Sequence, residues 1–155
     1  MPVVTDDDLV RSVSALADDA LGVDERAARI ASAIREQGDH RWVGVYEVTD
    51  TEVRMLGYAG PGAPVYPRFP RTQGLTASAV ATGQTVTVDD VTADPRYLTA
   101  FGTTRSEMIV PVLDAAGAVV GTIDVESDRA AAFGAGRRAL IERCAAVILA
   151  LYRTD

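Results

Sequence analysis

Arg41–Val48 reads RWVGVYEV and Glu52–Tyr58 reads EVRMLGY, with Thr49-Asp50-Thr51 between them. Both runs are short, β-branched and aromatic, and the gap has turn chemistry, so the pair predicts a β-hairpin. Glu107–Leu113 and Ala118–Ser127 predict a second hairpin across Asp114–Gly117, and Gln84–Val88 (QTVTV) adds a strand. Outside this middle region the apolar spacing becomes helical. Leu9, Val10, Val13, Leu16, Ala17, Ala20 and Leu21 recur behind Thr5 or Asp6, either of which suits an N-cap. A second helix follows Gly22, with Asp24 as its cap, Ala27, Ile30, Ala31 and Ile34 on one face, and Gly38 as its closing glycine. Leu75–Ala81 is a short Ala-rich helix, and a last helix spans about 134–153.

The order is α-α-β-β-loop-α-β-loop-β-β-α. That order predicts an α+β chain with a central antiparallel sheet rather than alternating β-α units. The terminal helices are expected on one sheet face and the long loops over the other, which makes a loop-roofed pocket. One of those loops, Gly60–Gln73 (GPGAPVYPRFPRTQ), holds four prolines and reads as irregular. The whole of 1–155 is expected to form one domain: a helical segment at about 5–38, sheet and pocket at about 41–128, and the final helix.

At 155 residues with 48% hydrophobic composition, the chain has enough apolar material for a core. Its one cysteine, Cys144, excludes an internal disulfide and fits a reducing compartment. The polar, acidic start (MPVVTDDDLV) does not read as a signal peptide, and no apolar run is long enough for a membrane span. A cytoplasmic location and no membrane partner are therefore expected. The net charge of -7, with scattered arginines, argues against nucleic acid as a partner.

Alternation along the strands picks out candidate site residues. Asp124 and Glu126 share a face, roughly 7 Å apart, with Val120 and Thr122 beside them. Val119, Ile123 and Val125 are expected on the opposite, helix-covered face. On the first strand Trp42, Gly44 and Tyr46 share a face, and Val43 and Val45 the other. If Trp42, Tyr46, Glu107, Asp124 and Glu126 converge, the site joins aromatic faces to acids. That combination suits an ammonium, quaternary amine or guanidinium group. The same acids also suit loop-anchoring hydrogen bonds, and the two aromatics also suit a plain core. His40, beside Asp39, reads as a solvated turn. No His/Cys cluster suggests a metal, Gly60-Pro61-Gly62 lacks phosphate-loop spacing, and no cofactor is expected. Arg68, Arg71, Arg96 and Arg105 lie in or beside the roof loops and would suit an anion instead.

Gly74-Leu75-Thr76, Ala81-Thr82-Gly83-Gln84, Asp90–Tyr97 (DVTADPRY), Arg105-Ser106-Glu107, Val110-Pro111 and Ile123–Ser127 (IDVES) occur in an order and spacing that resembles the GAF family. The resemblance runs from about Trp42 to Arg153. Within it, Trp42–Tyr46 (WVGVY), Arg68-Phe69-Pro70, Ser106-Glu107 and Asp124–Ser127 are most similar to the free methionine-(R)-sulfoxide reductases. In that family cysteines do the chemistry, and their positions fall here on Tyr66, Thr76 and Ala100. The resemblance also implies that the acids at 107, 124 and 126 help hold a substrate amino group, with Glu126 longer than the usual acid. Tyr66, Thr76, Tyr97 and Ala100 join Trp42, Tyr46 and the acids as expected ligand-binding residues. Reduction of a sulfoxide by that route needs a thiolate and a resolving thiol, so thiol-dependent reductase activity is expected to be absent.

Three functions remain open from sequence. The first is a small-molecule receptor with a sensory or regulatory role, partnering a signalling protein. The second is an enzyme using Glu107, Asp124 or Glu126 as acid or base. The third is a nitrate or anion receptor acting on a sensor kinase, with Trp42 and Tyr97 at the anion. A homodimer through the terminal helices is expected in any of these.

Overall fold

The computed structural model describes residues 4–97 and 102–153. Two helices, α1 (Asp6–Ala17) and α2 (Val23–Gly38), precede the hairpin of β1 (Trp42–Val48) and β2 (Glu52–Ala59). A short strand β3 (Arg68–Pro70), helix α3 (Gly74–Thr82) and strand β4 (Val86–Val88) follow. The hairpin of β5 (Ser106–Leu113) and β6 (Val119–Ser127) leads into α4 (Ala135–Val147) and a 3₁₀ turn at Leu149–Tyr152. The six strands form one sheet in the order β3-β2-β1-β6-β5-β4, with every neighbouring pair antiparallel. The expected α+β class and central antiparallel sheet are therefore what the chain adopts.

The helix-side face carries the larger core. Val43 and Val45 of β1, Met108, Val110 and Val112 of β5, and Ile123 and Val125 of β6 meet the buried stripes of α1, α2 and α4. Gly57 lets α2 approach β2 closely, since a Cβ there would lie 2.4 Å from the Ala28 backbone nitrogen. Tyr152 enters from the 3₁₀ turn over Gly121, where a Cβ would lie 2.2 Å from its ring. Its hydroxyl donates to the Tyr46 carbonyl at 2.8 Å, beside a register break in the β1–β2 pairing.

Several local expectations are corrected. Thr5 caps α1 in a reciprocal box with Asp8, but Asp24 does not cap α2. Gly22 takes that position without a side-chain bond, and Asp24 lies in the first turn. The left-handed residue after α2 is Asp39 at φ 50, one beyond Gly38. The last helix ends at Val147 and passes into the 3₁₀ turn. The loop after Gly60 is not wholly irregular: β3 lies within it, and Arg68–Pro70 pairs with the edge of β2.

A more consequential correction concerns Val119 and Val120. Leu113 pairs with Val119 while Val112 pairs with Gly121, so Val120 is an extra residue on β6. A bulge of this kind inverts the alternation beyond it. Val120 therefore packs into the helix-side core, and Val119 packs on the other face against the smaller cluster that contains Tyr46, Val48 and Val53. His40 is also corrected: it is buried, with its ring 5.9 Å from Phe133 and over Gly38.

Candidate functional site

Three adjacent strands build the floor of the site. Across β1, β6 and β5, Trp42 lies opposite Glu126, which lies opposite Glu107. One step along, Gly44 lies opposite Asp124, which lies opposite Ile109. Strand pleating sends all six residues to the same face. Gly44 matters because it is empty: a Cβ there would meet Trp42 Cη2 at 2.3 Å and Tyr46 Cε2 at 2.9 Å. The two rings thus fold over the glycine, with centroids 6.5 Å apart, next to Asp124.

Loops and a helix end close the other sides. The Trp42 indole N–H donates to the Gly62 carbonyl at 3.1 Å, and Tyr58 stacks on the indole at 6.1 Å. Phe69 of β3 meets Tyr46 edge-on at 6.0 Å. Gly74, Leu75 and Thr76 bring in the first turn of α3, and Pro64 and Tyr66 complete the wall. Tyr97 reaches Glu126, its hydroxyl donating to Oε1 at 3.4 Å. The cavity measures about 40 Å³, room for about three waters.

Of the residues picked out by sequence, Trp42, Tyr46, Tyr66, Thr76, Tyr97, Glu107, Asp124 and Glu126 all line this cavity. Ala100 lies outside the described residues. Tyr66 stands at the mouth, about half exposed, whereas Thr76 is buried. Pro64, Phe69, Gly74, Leu75 and Ile109 line the cavity too and were not among the candidates. Ile109 was reachable by alternation, because it lies two residues beyond Glu107.

The electrostatics of the cavity are one-sided. Glu107, Asp124 and Glu126 are 7%, 5% and 2% exposed. Asp124 Oδ1 and Glu126 Oε2 are buried with no hydrogen-bond partner. Burial, together with the neighbouring acids, holds the Glu107 carboxyl well above the usual carboxylate range. Burial and the charge of Glu126 push Asp124 up to about 8. Burial pushes Glu126 up to about 7, against the downward pull of the Tyr97 hydroxyl. Among the described residues no basic side chain lines the cavity.

The arginines of the roof loops have other engagements. Arg68 pairs with Glu52 at 2.6 Å, Arg96 with Asp94 at 2.7 Å, and Arg105 with Asp90 at 3.6 Å. Arg71 donates to the Thr49 carbonyl at 2.8 Å. Among the described residues no group of three or more His, Cys, Asp or Glu side chains is arranged to hold a metal. Cys144 is buried in the helix-side core, and that burial pushes its thiol up to about 12.

Comparison with known proteins gives one family. The profile described as "GAF domain" matches residues 22–150. The "GAF domain-containing protein A" of Dictyostelium discoideum is 31% identical over 107 residues, which is 68% of this chain and 66% of that protein. The free methionine-R-sulfoxide reductase of Saccharomyces cerevisiae is 30% identical over 90 residues, 57% of this chain and 49% of its own length. The matches span about half to two thirds of the curated relatives' lengths. A free methionine-R-sulfoxide reductase from Neisseria meningitidis, solved in complex with its substrate, superposes with a TM-score of 0.83 at 26% identity. That superposition covers 95% of this chain and 87% of the reductase.

Proposed function

The chain belongs to the GAF domain family, a fold that binds small molecules and serves sensory roles, and from that premise we propose that it is a receptor for a small organic cation. The ligand is of amine or amino-acid type, and the role is sensory or regulatory, read by a signalling partner. Its cationic head lies among Glu107, Asp124 and Glu126, and its apolar part lies against Trp42 and Tyr46.

One observation carries this reading. Three nearly buried carboxyl groups face a cavity without a basic side chain among the described residues, and two of their oxygens have no partner. Buried charges of one sign call for a counter-charge. The space of about 40 Å³ suits the head group, and the rest of a larger ligand would extend toward the mouth at Tyr66.

The test is a thermal-shift panel of amino acids, methionine sulfoxide, betaines, guanidines, nitrate and small carboxylates. An amine at about 100 times its dissociation constant adds roughly 2.7 kcal/mol. We expect a shift that disappears in Asp124→Asn. Stabilisation by anions alone would sink the proposal and favour the anion receptor, which the engaged roof arginines do not support.

A second reading, acid–base catalysis on an amine-bearing ligand, draws support from Asp124 and Glu126 titrating at about 8 and about 7. Recovery of a chemically altered ligand after incubation would establish it. Thiol chemistry is not part of either reading, because the chain's one cysteine is Cys144. The apolar stripes that suggest a homodimer from sequence face inward in α1 and α4. A mass measured in solution decides between one copy and two.

A further inference from the structure

Glu107 and Glu126 sit directly opposite each other on neighbouring strands, and Asp124 lies two residues along the same face. Like charges directly opposite in a sheet repel, and all three groups are more than nine-tenths buried. The groups that face them are Trp42 and Tyr46 from β1, Thr122 from β6, Thr76 from α3, and Tyr97 and Thr104 from the loops. None of these carries a positive charge. Residues 98–101 (LTAF), outside the described set, have no ionisable side chain to contribute.

Three ionised carboxylates buried this close together would be strongly unfavourable, and carboxyl groups in that position keep protons. Building on the receptor reading above, we propose that the ligand's cationic group enters this cluster in exchange for protons held there, so that occupancy rises with pH and binding releases protons. The cation then supplies the counter-charge that the protons supplied before. The three groups titrate as a set, so the number of protons released belongs to the cluster rather than to one side chain. The upward shift of all three carboxyl groups agrees with this.

The experiment uses the full chain and methylammonium chloride, a cation small enough for the cavity that keeps its own charge over the range tested. Sodium chloride at equal ionic strength is the control. Affinity is measured by calorimetry at pH 6, 7 and 8.5, and the heat is compared at pH 7.5 in phosphate and in HEPES, whose ionisation heats differ. We expect affinity to rise roughly tenfold from pH 6 to 7 for each proton released, and the heat to depend on the buffer. In Asp124→Asn, and independently in Glu126→Gln, both dependences should shrink. Infrared spectra of the free protein should show protonated carboxyl groups at pH 6.5, lost on adding methylammonium. Binding with an affinity independent of pH and a heat independent of buffer overturns the exchange and leaves the receptor reading standing. Absence of methylammonium binding at all three pH values overturns both.

Discussion

Position 124 puts a carboxyl group where packing alone would favour an apolar side chain. Its neighbours across the strands are Gly44 and Ile109, and its Oδ1 has no partner. Asp124→Asn keeps the shape and removes the charge. The sign of its effect follows from titration. A carboxyl raised to about 8 contributes stability that is fully present below its unfolded value near 3.8 and is lost as pH rises through 8. At pH 8.5 the variant should therefore melt above the wild type, while at pH 4 the two should agree more closely. A variant that melts lower at pH 8.5 would mean that Asp124 already has a counter-charge in the free protein. The residue types and faces of Trp42, Tyr46, Asp124 and Glu126 were legible in the sequence because strand alternation is strict across Gly121–Glu126. His40 was not, since a lone polar residue after a helix gives no sign of the phenylalanine, Phe133, that arrives from far along the chain to cover it.

At the scale of elements, the hairpins, the three long helices and α3 follow from period and turn residues. Three features could not be read that way. The β6 bulge depends on how Leu113 and Val119 meet across two strands, not on either segment alone. Strand β3 is three residues that follow Pro67 and end on Pro70, and it exists because the edge of β2 is there to pair with. The last helix tightens to 3₁₀ as Tyr152 turns in to the Tyr46 carbonyl. Helix α2 comes close to β2 at Gly57. Gly57→Ala forces a Cβ to 2.4 Å from the Ala28 backbone nitrogen, and backbone has little room to give. Overpacking of this kind costs about 1–3 kcal/mol. Chemical denaturation should show a lower midpoint and an unfolding free energy reduced by that amount, and an unchanged midpoint would mean that α2 slides freely on the sheet.

Across the whole molecule, the two sheet faces respond to pH in opposite directions. On the helix side, burial and the charge of Arg137 depress His40 from 6.5 to about 4. Its contribution is present above pH 6.5 and is lost as pH falls to 4. On the pocket side, Asp124 and Glu126 contribute stability that is lost as pH rises through about 8 and about 7 respectively. Between pH 4 and 6.5 the two trends oppose each other. Above pH 6.5 the acids act without His40, and each group still protonated costs about 1.4 kcal/mol per pH unit. The ligand-free protein should thus lose melting temperature from pH 6.5 to 8. His40→Phe should leave that alkaline limb in place and improve stability at pH 4.5 relative to the wild type. An alkaline limb absent from the wild type would contradict the burial of the carboxyl set.

The row formed by Glu107, Glu126 and Trp42 has a consequence for how this protein would drift under artificial selection. A site whose buried acids have no counter-charge is less stable than the same site filled with hydrocarbon of equal volume. A library screened only for survival of heating at mildly alkaline pH would find its easiest gains at positions 107, 124 and 126. The survivors would keep the fold, pass any test of foldedness, and no longer recognise a cation. Heat tolerance and recognition are therefore opposing traits at these three positions, and a thermostable descendant retaining all three acids would have found its gains elsewhere.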